Sequence, residues 1–129
     1  MSYCFVTTLE GDFKPVVERV TEELSREGFG ILTEIDVKAT LKKKLNEDFR
    51  PYRILGACNP PYAFRALQAE PRIGTMLPCN VVVQQRDDGL IEVAAVDPLA
   101  LMQAIENATL AEIAGEIRDK LQKVISRLE

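Results

Sequence analysis

Two copies of one dipeptide carry most of the usable chemistry in this sequence. Cys58-Asn59 and Cys79-Asn80 each lie where a strand-like run meets another kind of structure. A thiol can serve as a nucleophile, a redox group or a soft metal ligand, and an amide offers hydrogen-bond donors and an acceptor. We therefore take Cys58, Asn59, Cys79 and Asn80 as the candidate ligand-binding residues. The sequence assigns no catalytic residue, no metal ligand set and no cofactor.

The absence of histidine narrows what these thiols can do. It removes serine–histidine and cysteine–histidine catalysis, together with imidazole metal ligands. A catalytic Cys58, its pKa lowered by the helix expected to follow it, would need Lys, Arg or a carboxylate as its partner. Two thiolates do not complete a zinc site, whereas Met76 would add a soft ligand suited to monovalent copper. Free cysteine is also a common packing residue, which is our interpretation of Cys4.

The two asparagines have structural roles that also suggest a ligand. Asn59 is placed as a helix N-cap with Pro60 at the first helical position, and Asn80 can stabilise a turn through its side chain. Backbone N–H groups exposed at a helix start also bind anions. Arg65 and Arg72 are close enough in sequence to assist. The expected partner is therefore a small molecule or an anion.

Composition and charge describe an ordinary globular chain. Its 129 residues are 47% apolar and 28% charged, as expected of a single domain spanning residues 1–129. The net charge of −4 argues against nucleic acid, and we interpret Lys42, Lys43 and Lys44 as a solvated helix face. No apolar run approaches the roughly 20 residues of a membrane span. Three cysteines and no leader-like N-terminal segment predict a reducing, cytoplasmic setting.

Hydrophobic periodicity predicts the order β-α-β-α-β-α-β-β-α-α. Runs of β-branched and apolar residues bounded by turn signals predict strands over residues 3–9, 31–37, 52–58, 80–86 and 90–96, and the second of these alternates. Helical spacing predicts helices after Asp12, from Val37 to about Asn46, over 60–70, from Pro98, and from a capping box at Thr109 to Leu128. Because alternating strands and helices need crossover connections, we expect a mixed five-stranded sheet with one antiparallel hairpin. The fold is then a two-layer α/β sandwich with its helices mostly on one face.

The path between the two dipeptides decides whether they share a site. About twenty residues with one helix join them, which suits a crossover within one sheet. Parallel neighbouring strands would place Cys58 and Cys79 at opposite ends of the sheet. A short helix leaves the segment from Arg72 to Pro78 room to carry the chain back, which would make the strands antiparallel. We favour this second geometry, which places both Cys-Asn turns at one end of the sheet.

This central stretch resembles the domain-of-unknown-function family numbered 302. The resemblance rests on Gly56, Cys58-Asn59-Pro60, Ala63, Ala66-Leu67, Pro71-Arg72-Ile73-Gly74 and Pro78-Cys79-Asn80 before a run of valines. The flanking strand–helix–strand, the closing hairpin and the long last helix fit as well. The resemblance implies a small single-domain α/β protein of bacteria or archaea, often dimeric. It implies no settled activity and carries over no catalytic residue.

Two classes of function follow from these observations. The first is a ligand-binding or sensing module with its site around the two Cys-Asn turns. The alternative is an enzyme of thiol or sulfur chemistry with Cys58 or Cys79 as nucleophile, and a purely structural homodimer is a third possibility. A binding function is preferred because the sequence shows no set of residues that together form a catalytic site. The sequence does not decide whether catalysis occurs.

Overall fold

Within residues 2–129, five strands and five α-helices follow one another in the predicted order. The structure is a computed structural model that describes residues 2–129. Its strands are β1 (Cys4–Leu9), β2 (Gly30–Asp36), β3 (Tyr52–Cys58), β4 (Cys79–Gln85) and β5 (Ile91–Val96). Its helices are α1 (Phe13–Arg26), α2 (Val37–Leu45), α3 (Pro60–Ala69), α4 (Pro98–Leu101) and α5 (Ala108–Leu128), with a 3₁₀ helix at Ile73–Met76.

The strands form one sheet in the order β1-β5-β4-β3-β2, and every neighbouring pair is antiparallel. The five-stranded sheet is confirmed, but the expectation of a mixed sheet is wrong. A helix between two strands does not by itself make them parallel neighbours. β1 and β2 lie at opposite edges of the sheet, so α1 links strands that never pair. The connections through α2 and α3 return the chain to the end it left, which makes their flanking strands antiparallel.

The core lies between the sheet and the helices on one of its faces, as a two-layer α/β arrangement requires. Helical spacing in α1 buries Val20 and Leu24 completely. In α5 the same spacing buries a full stripe against the sheet, with Leu121 and Val124 showing no exposed surface. Alternate residues of β4 and β5 point into this core. No helix within residues 2–129 combines the length and the hydropathy needed to cross a bilayer.

A close approach of neighbouring chains explains the glycine in the middle of β3. A Cβ built on Gly56 would overlap Thr33 Oγ1 and lie 2.7 Å from Pro78 Cγ. Thr33 is directly opposite Gly56 across the β2–β3 pair, beside a bulge between Ile31 and Thr33. Pro78 belongs to the segment that enters β4. A larger residue at position 56 would therefore push β3 away from Thr33 on β2 and from Pro78, which precedes β4.

The start of α5 is fixed by an asparagine. The Asn107 side chain accepts a hydrogen bond of 3.0 Å from the Leu110 N–H, and its amide nitrogen donates to the Ala69 carbonyl at 2.8 Å. Asn107 thus caps α5 and ties it to the end of α3. The capping box predicted at Thr109 is wrong, because the N-cap is Asn107, two residues earlier, and Thr109 lies inside the helix.

Candidate functional site

The two cysteines lie at one end of the sheet. β3 ends at Cys58 and β4 begins at Cys79, and Ala57 lies directly opposite Cys79 in the antiparallel register. α3 leaves this end, and the 3₁₀ helix with the segment through Pro78 brings the chain back to it. The predicted antiparallel return is therefore confirmed, and both Cys-Asn turns lie at the same end.

A cavity of about 290 Å³ lies beside this end of the sheet, between α3, α5 and the strand termini. Cys58, Asn59 and Cys79 all line it. The remaining lining side chains are apolar or glycine, contributed by every neighbouring element: Phe29, Leu32, Ala57, Ala63, Ala66, Leu67, Gly74, Leu77, Pro78, Met102, Leu110, Ile113, Ala114 and Ile117. Asn59 is the lining residue with a side-chain amide, and none of the lining residues is charged.

Asn59 has a different structural role from the one predicted. It occupies the N-cap position of α3, but its side chain makes no capping hydrogen bond. Instead Nδ2 donates to the Glu27 carbonyl at 3.0 Å, just beyond the end of α1, and the amide packs over Gly28. The residue is 8% exposed. Because a backbone carbonyl can only accept, this bond fixes which end of the amide is nitrogen and leaves Oδ1 free of the cap.

Asn80 is not part of this cavity. It is exposed, and it alternates with the buried Cys79 and Val81 along β4, so its side chain lies on the opposite face of the sheet. There it lines a shallow surface pocket with Tyr3 and Cys4. The structure thus brings together three of the four predicted site residues and separates the fourth from them.

The two thiols differ in their surroundings. Cys79 is 5% exposed, whereas Cys58 is half-buried, and neither is in a disulfide. Burial raises the pKa of the Cys79 thiol from 9.0 to about 11, and the neighbouring Cys58 adds to the rise. Cys79 is therefore a neutral thiol at physiological pH. Only the thiolate form is a strong nucleophile or a good metal ligand.

The features that suggested an anion are arranged differently from the sequence expectation. α3 begins with Pro60 and Pro61, which have no N–H group to offer. Arg65 lies 3.6 Å from the Glu116 carboxylate, and Arg72 is exposed; neither lines the cavity. Within residues 2–129 no cluster of three or more His, Cys, Asp and Glu side chains is placed to hold a metal ion.

Several lining residues were not singled out from the sequence. Ile113, Ala114 and Ile117 come from α5, whose periodicity predicts burial but not which buried residues face a gap. Met102 lines the cavity, whereas Met76, considered above as a soft ligand for copper, is not among the lining residues. Leu32 was assigned to plain strand alternation, but the β2 bulge places it at the cavity with 67% of its surface exposed. The available signal in the sequence was a leucine in the row of the strand otherwise occupied by Glu34 and Asp36.

Comparison with known proteins places this fold among proteins without an assigned activity. A model of the family described as "Domain of unknown function DUF302" matches residues 5–128. A solved structure, the crystal structure of an uncharacterized conserved DUF302 protein from Bacillus stearothermophilus, is 31% identical. It superimposes with a TM-score of 0.92, and the match covers 100% of both chains. No curated protein matches the sequence.

Proposed function

Because the chain belongs to the DUF302 family, for which no function is described, we propose from the site itself that it is a ligand-binding or sensing module. The binding site is the cavity lined by Cys58, Asn59 and Cys79. One observation carries the proposal: an apolar cavity of about 290 Å³ contains a single amide at its wall. Small-molecule sites are typically apolar concavities with a few fixed polar groups, and the volume is close to the lower end of their usual range.

The alternative is an enzyme of thiol or sulfur chemistry, and the site supports it less well. A nucleophilic thiol needs a lowered pKa or a neighbouring base. The pKa of Cys79 is raised to about 11 by burial, so its thiolate is scarce at neutral pH. Cys58 is the remaining nucleophile for this alternative, but no Lys, Arg, Asp or Glu of residues 2–129 lines the cavity. Binding therefore accounts for the site better than catalysis.

The proposal is tested by filling the cavity. Ala114 lies on the α5 wall and is 1% exposed, so Ala114→Met places three more heavy atoms in the space. Ala111→Met, on the exposed side of the same helix, is the matched control. Indole, octanoate and octylamine are added separately, and the thermal midpoint is measured by scanning fluorimetry. We expect at least one probe to raise the midpoint of the wild type and of Ala111→Met but not of Ala114→Met. If no probe distinguishes the variants, the cavity is not a binding site.

We also propose that the chain forms a homodimer through the sheet face opposite the helices. The strand register aligns five apolar side chains across the whole sheet on this face: Val6, Ala94, Val82, Ile54 and Ile35. Facing residues on neighbouring strands are about 5 Å apart, so these side chains form one continuous apolar row. The two ends of the row, Val6 and Ile35, are 50% and 47% exposed. A second copy packed on this row would remove it from water.

Light scattering at micromolar concentration tests the dimer. We expect twice the mass of one chain for the wild type and a single-chain mass for Val82→Glu, which introduces a charge into the middle of the row. Lys43→Glu on the exposed surface of α2 is the control and should stay dimeric. A single-chain mass for the wild type would contradict the proposal. Three free thiols agree with a reducing compartment, and we propose that the protein works in the cytoplasm.

A further inference from the structure

We propose that the cavity ligand is an uncharged, mostly apolar molecule that donates one hydrogen bond to Asn59 Oδ1. This inference rests on the proposed binding function and specifies its ligand class. It depends on three features of the cavity: the lack of charged side chains in its wall, the orientation of the Asn59 amide and the cavity volume.

The wall offers nothing that would compensate a buried charge. A charged group transferred into an apolar site loses its hydration, and it is tolerated only when a counter-charge or several hydrogen bonds replace the water. Three cations on the helices that border the cavity already have partners: Arg65 lies beside Glu116, and Arg127 and Lys120 lie 2.7 and 4.0 Å from the Glu27 carboxylate. A charged ligand would therefore bind far more weakly than a neutral one of the same shape.

The prolines that begin α3 and the protonated thiol of Cys79 also favour a neutral ligand over a charged one. The N-terminus of a helix often binds anions through its free N–H groups, but the first two residues of α3, Pro60 and Pro61, have none. The Ala63 N–H, which follows shortly after them, already donates to the Asn59 carbonyl. The Cys79 thiol is buried and neutral at physiological pH, so it contributes no charge that would attract a cation.

The orientation of the Asn59 amide specifies the polar group of the ligand. One of its two N–H groups donates to the Glu27 carbonyl, and its oxygen makes no cap bond to α3. Oδ1 is an acceptor, so its complement on a ligand is a donor such as a hydroxyl or a neutral N–H. A ligand that can only accept would leave this oxygen without its partner in an apolar site, which is unfavourable.

Volume and access set the size of the ligand. An engineered apolar cavity of about 150 Å³ binds benzene. The present cavity, at about 290 Å³, is nearly twice as large and suits a ligand of roughly ten non-hydrogen atoms by this comparison. Leu32 and Leu67 line it while remaining 67% and 44% exposed, so apolar side chains flank a route to solvent.

Three eight-carbon probes separate the contributions of charge and of hydrogen bonding. 1-Octanol is neutral and donates a hydrogen bond, its isomer heptyl methyl ether is neutral and only accepts, and octanoate is charged. Dissociation constants are measured by titration calorimetry at pH 7.5 on the wild type, on the cavity-filling Ala114→Met and on the exposed control Ala111→Met. Ala63→Leu, on the α3 wall, is a second filling variant in case Ala114→Met does not fold.

We expect 1-octanol to bind the wild type and Ala111→Met at least tenfold more tightly than octanoate and several-fold more tightly than the ether. The filling variants should lose 1-octanol binding. Octanoate binding as tightly as 1-octanol would overturn the inference of a neutral ligand while leaving the binding function intact. Equal affinities for 1-octanol and the ether would overturn the role of Asn59 Oδ1. Loss of binding for all probes, in this experiment and in the fluorimetry, would refute the binding function itself.

Discussion

The buried thiol of Cys79 should make the stability of this protein depend on alkaline pH in a specific way. In the folded chain the pKa of this thiol is about 11, against 9.0 for the unperturbed group. Below pH 9 both the folded and the unfolded chain carry the proton, and stability does not depend on it. Above pH 9 the unfolded chain loses the proton and the folded chain keeps it. The free energy of unfolding therefore falls as pH rises towards 11.

The size of the effect follows from the shift. One pKa unit corresponds to 1.36 kcal/mol, so a shift of about two units gives on the order of 2–3 kcal/mol over the full range. Between pH 8 and pH 10.5 the expected loss attributable to Cys79 is about 2 kcal/mol. Cys79 is 5% exposed, so solvent screening reduces this value only slightly.

Urea unfolding of the wild type and of Cys79→Ala at these two pH values, with a reductant present, measures the contribution. Other groups titrate in both proteins, so the informative quantity is the difference between their free energies of unfolding. We expect the stability advantage of the wild type at pH 8 to shrink by about 2 kcal/mol at pH 10.5. Cys4→Ala, which removes a thiol on the other sheet face, should retain the wild-type pH dependence. An advantage that stays constant with pH would refute the reasoning.

Three further predictions concern stability measured by urea unfolding. Leu121→Ala should lower the free energy of unfolding by roughly 2–5 kcal/mol because this side chain is fully buried, and an unchanged midpoint would contradict the packing of α5. Gly56→Ala should lower the free energy of unfolding by about 1–3 kcal/mol because a Cβ there meets a proline ring. Gly115→Ala, on helix α5 with open space around it, should instead raise it by about 0.5–1 kcal/mol. Similar effects of the two substitutions would show that neither environment is as described. Asp97→Ala should lower the free energy of unfolding by about 1–3 kcal/mol because its carboxylate accepts hydrogen bonds from two α4 N–H groups and from Arg118. A loss below about 0.5 kcal/mol, which is the usual effect of a surface substitution, would refute these bonds.

Local sequence patterns predicted the elements but not how strands pair across connections. Runs of β-branched and apolar residues between turn signals predicted all five strands, because such residues suit a pleated, half-buried surface. The antiparallel β3–β4 pair was favoured only because it brings the two Cys-Asn turns to one end, since the 3₁₀ helix at Ile73–Met76 and the segment that follows it have no strong sequence pattern. Likewise, the cap of α5 was predicted at Thr109, whereas Asn107 provides it. An asparagine near a boundary can end one helix or cap the next, and only tertiary contacts decide between these roles.

The sequence predicted some residues of the candidate site but not the cavity that they line. Cys58, Asn59 and Cys79 were identified because unusual residue types recur at strand ends, and the structure places all three at one cavity. Asn80 was included because it repeats the dipeptide, but alternation along β4 turns its side chain to the other face. The cavity itself is a gap between α3, α5 and the sheet. Since a gap depends on how elements pack together, the periodicity of no single element reveals it.

The position of β1 in the sheet has a consequence for the order in which the chain folds during synthesis. β1 occupies one edge, and within residues 2–129 it pairs with β5 alone, roughly ninety residues later. A ribosome therefore releases the first strand long before the strand that pairs with it, while β2, β3 and β4 can already assemble. Stalled nascent chains that end before Ile91 should leave Phe5 accessible to chymotrypsin, and chains with β5 outside the exit tunnel should protect it. Early protection of Phe5 would show that β1 finds another partner first.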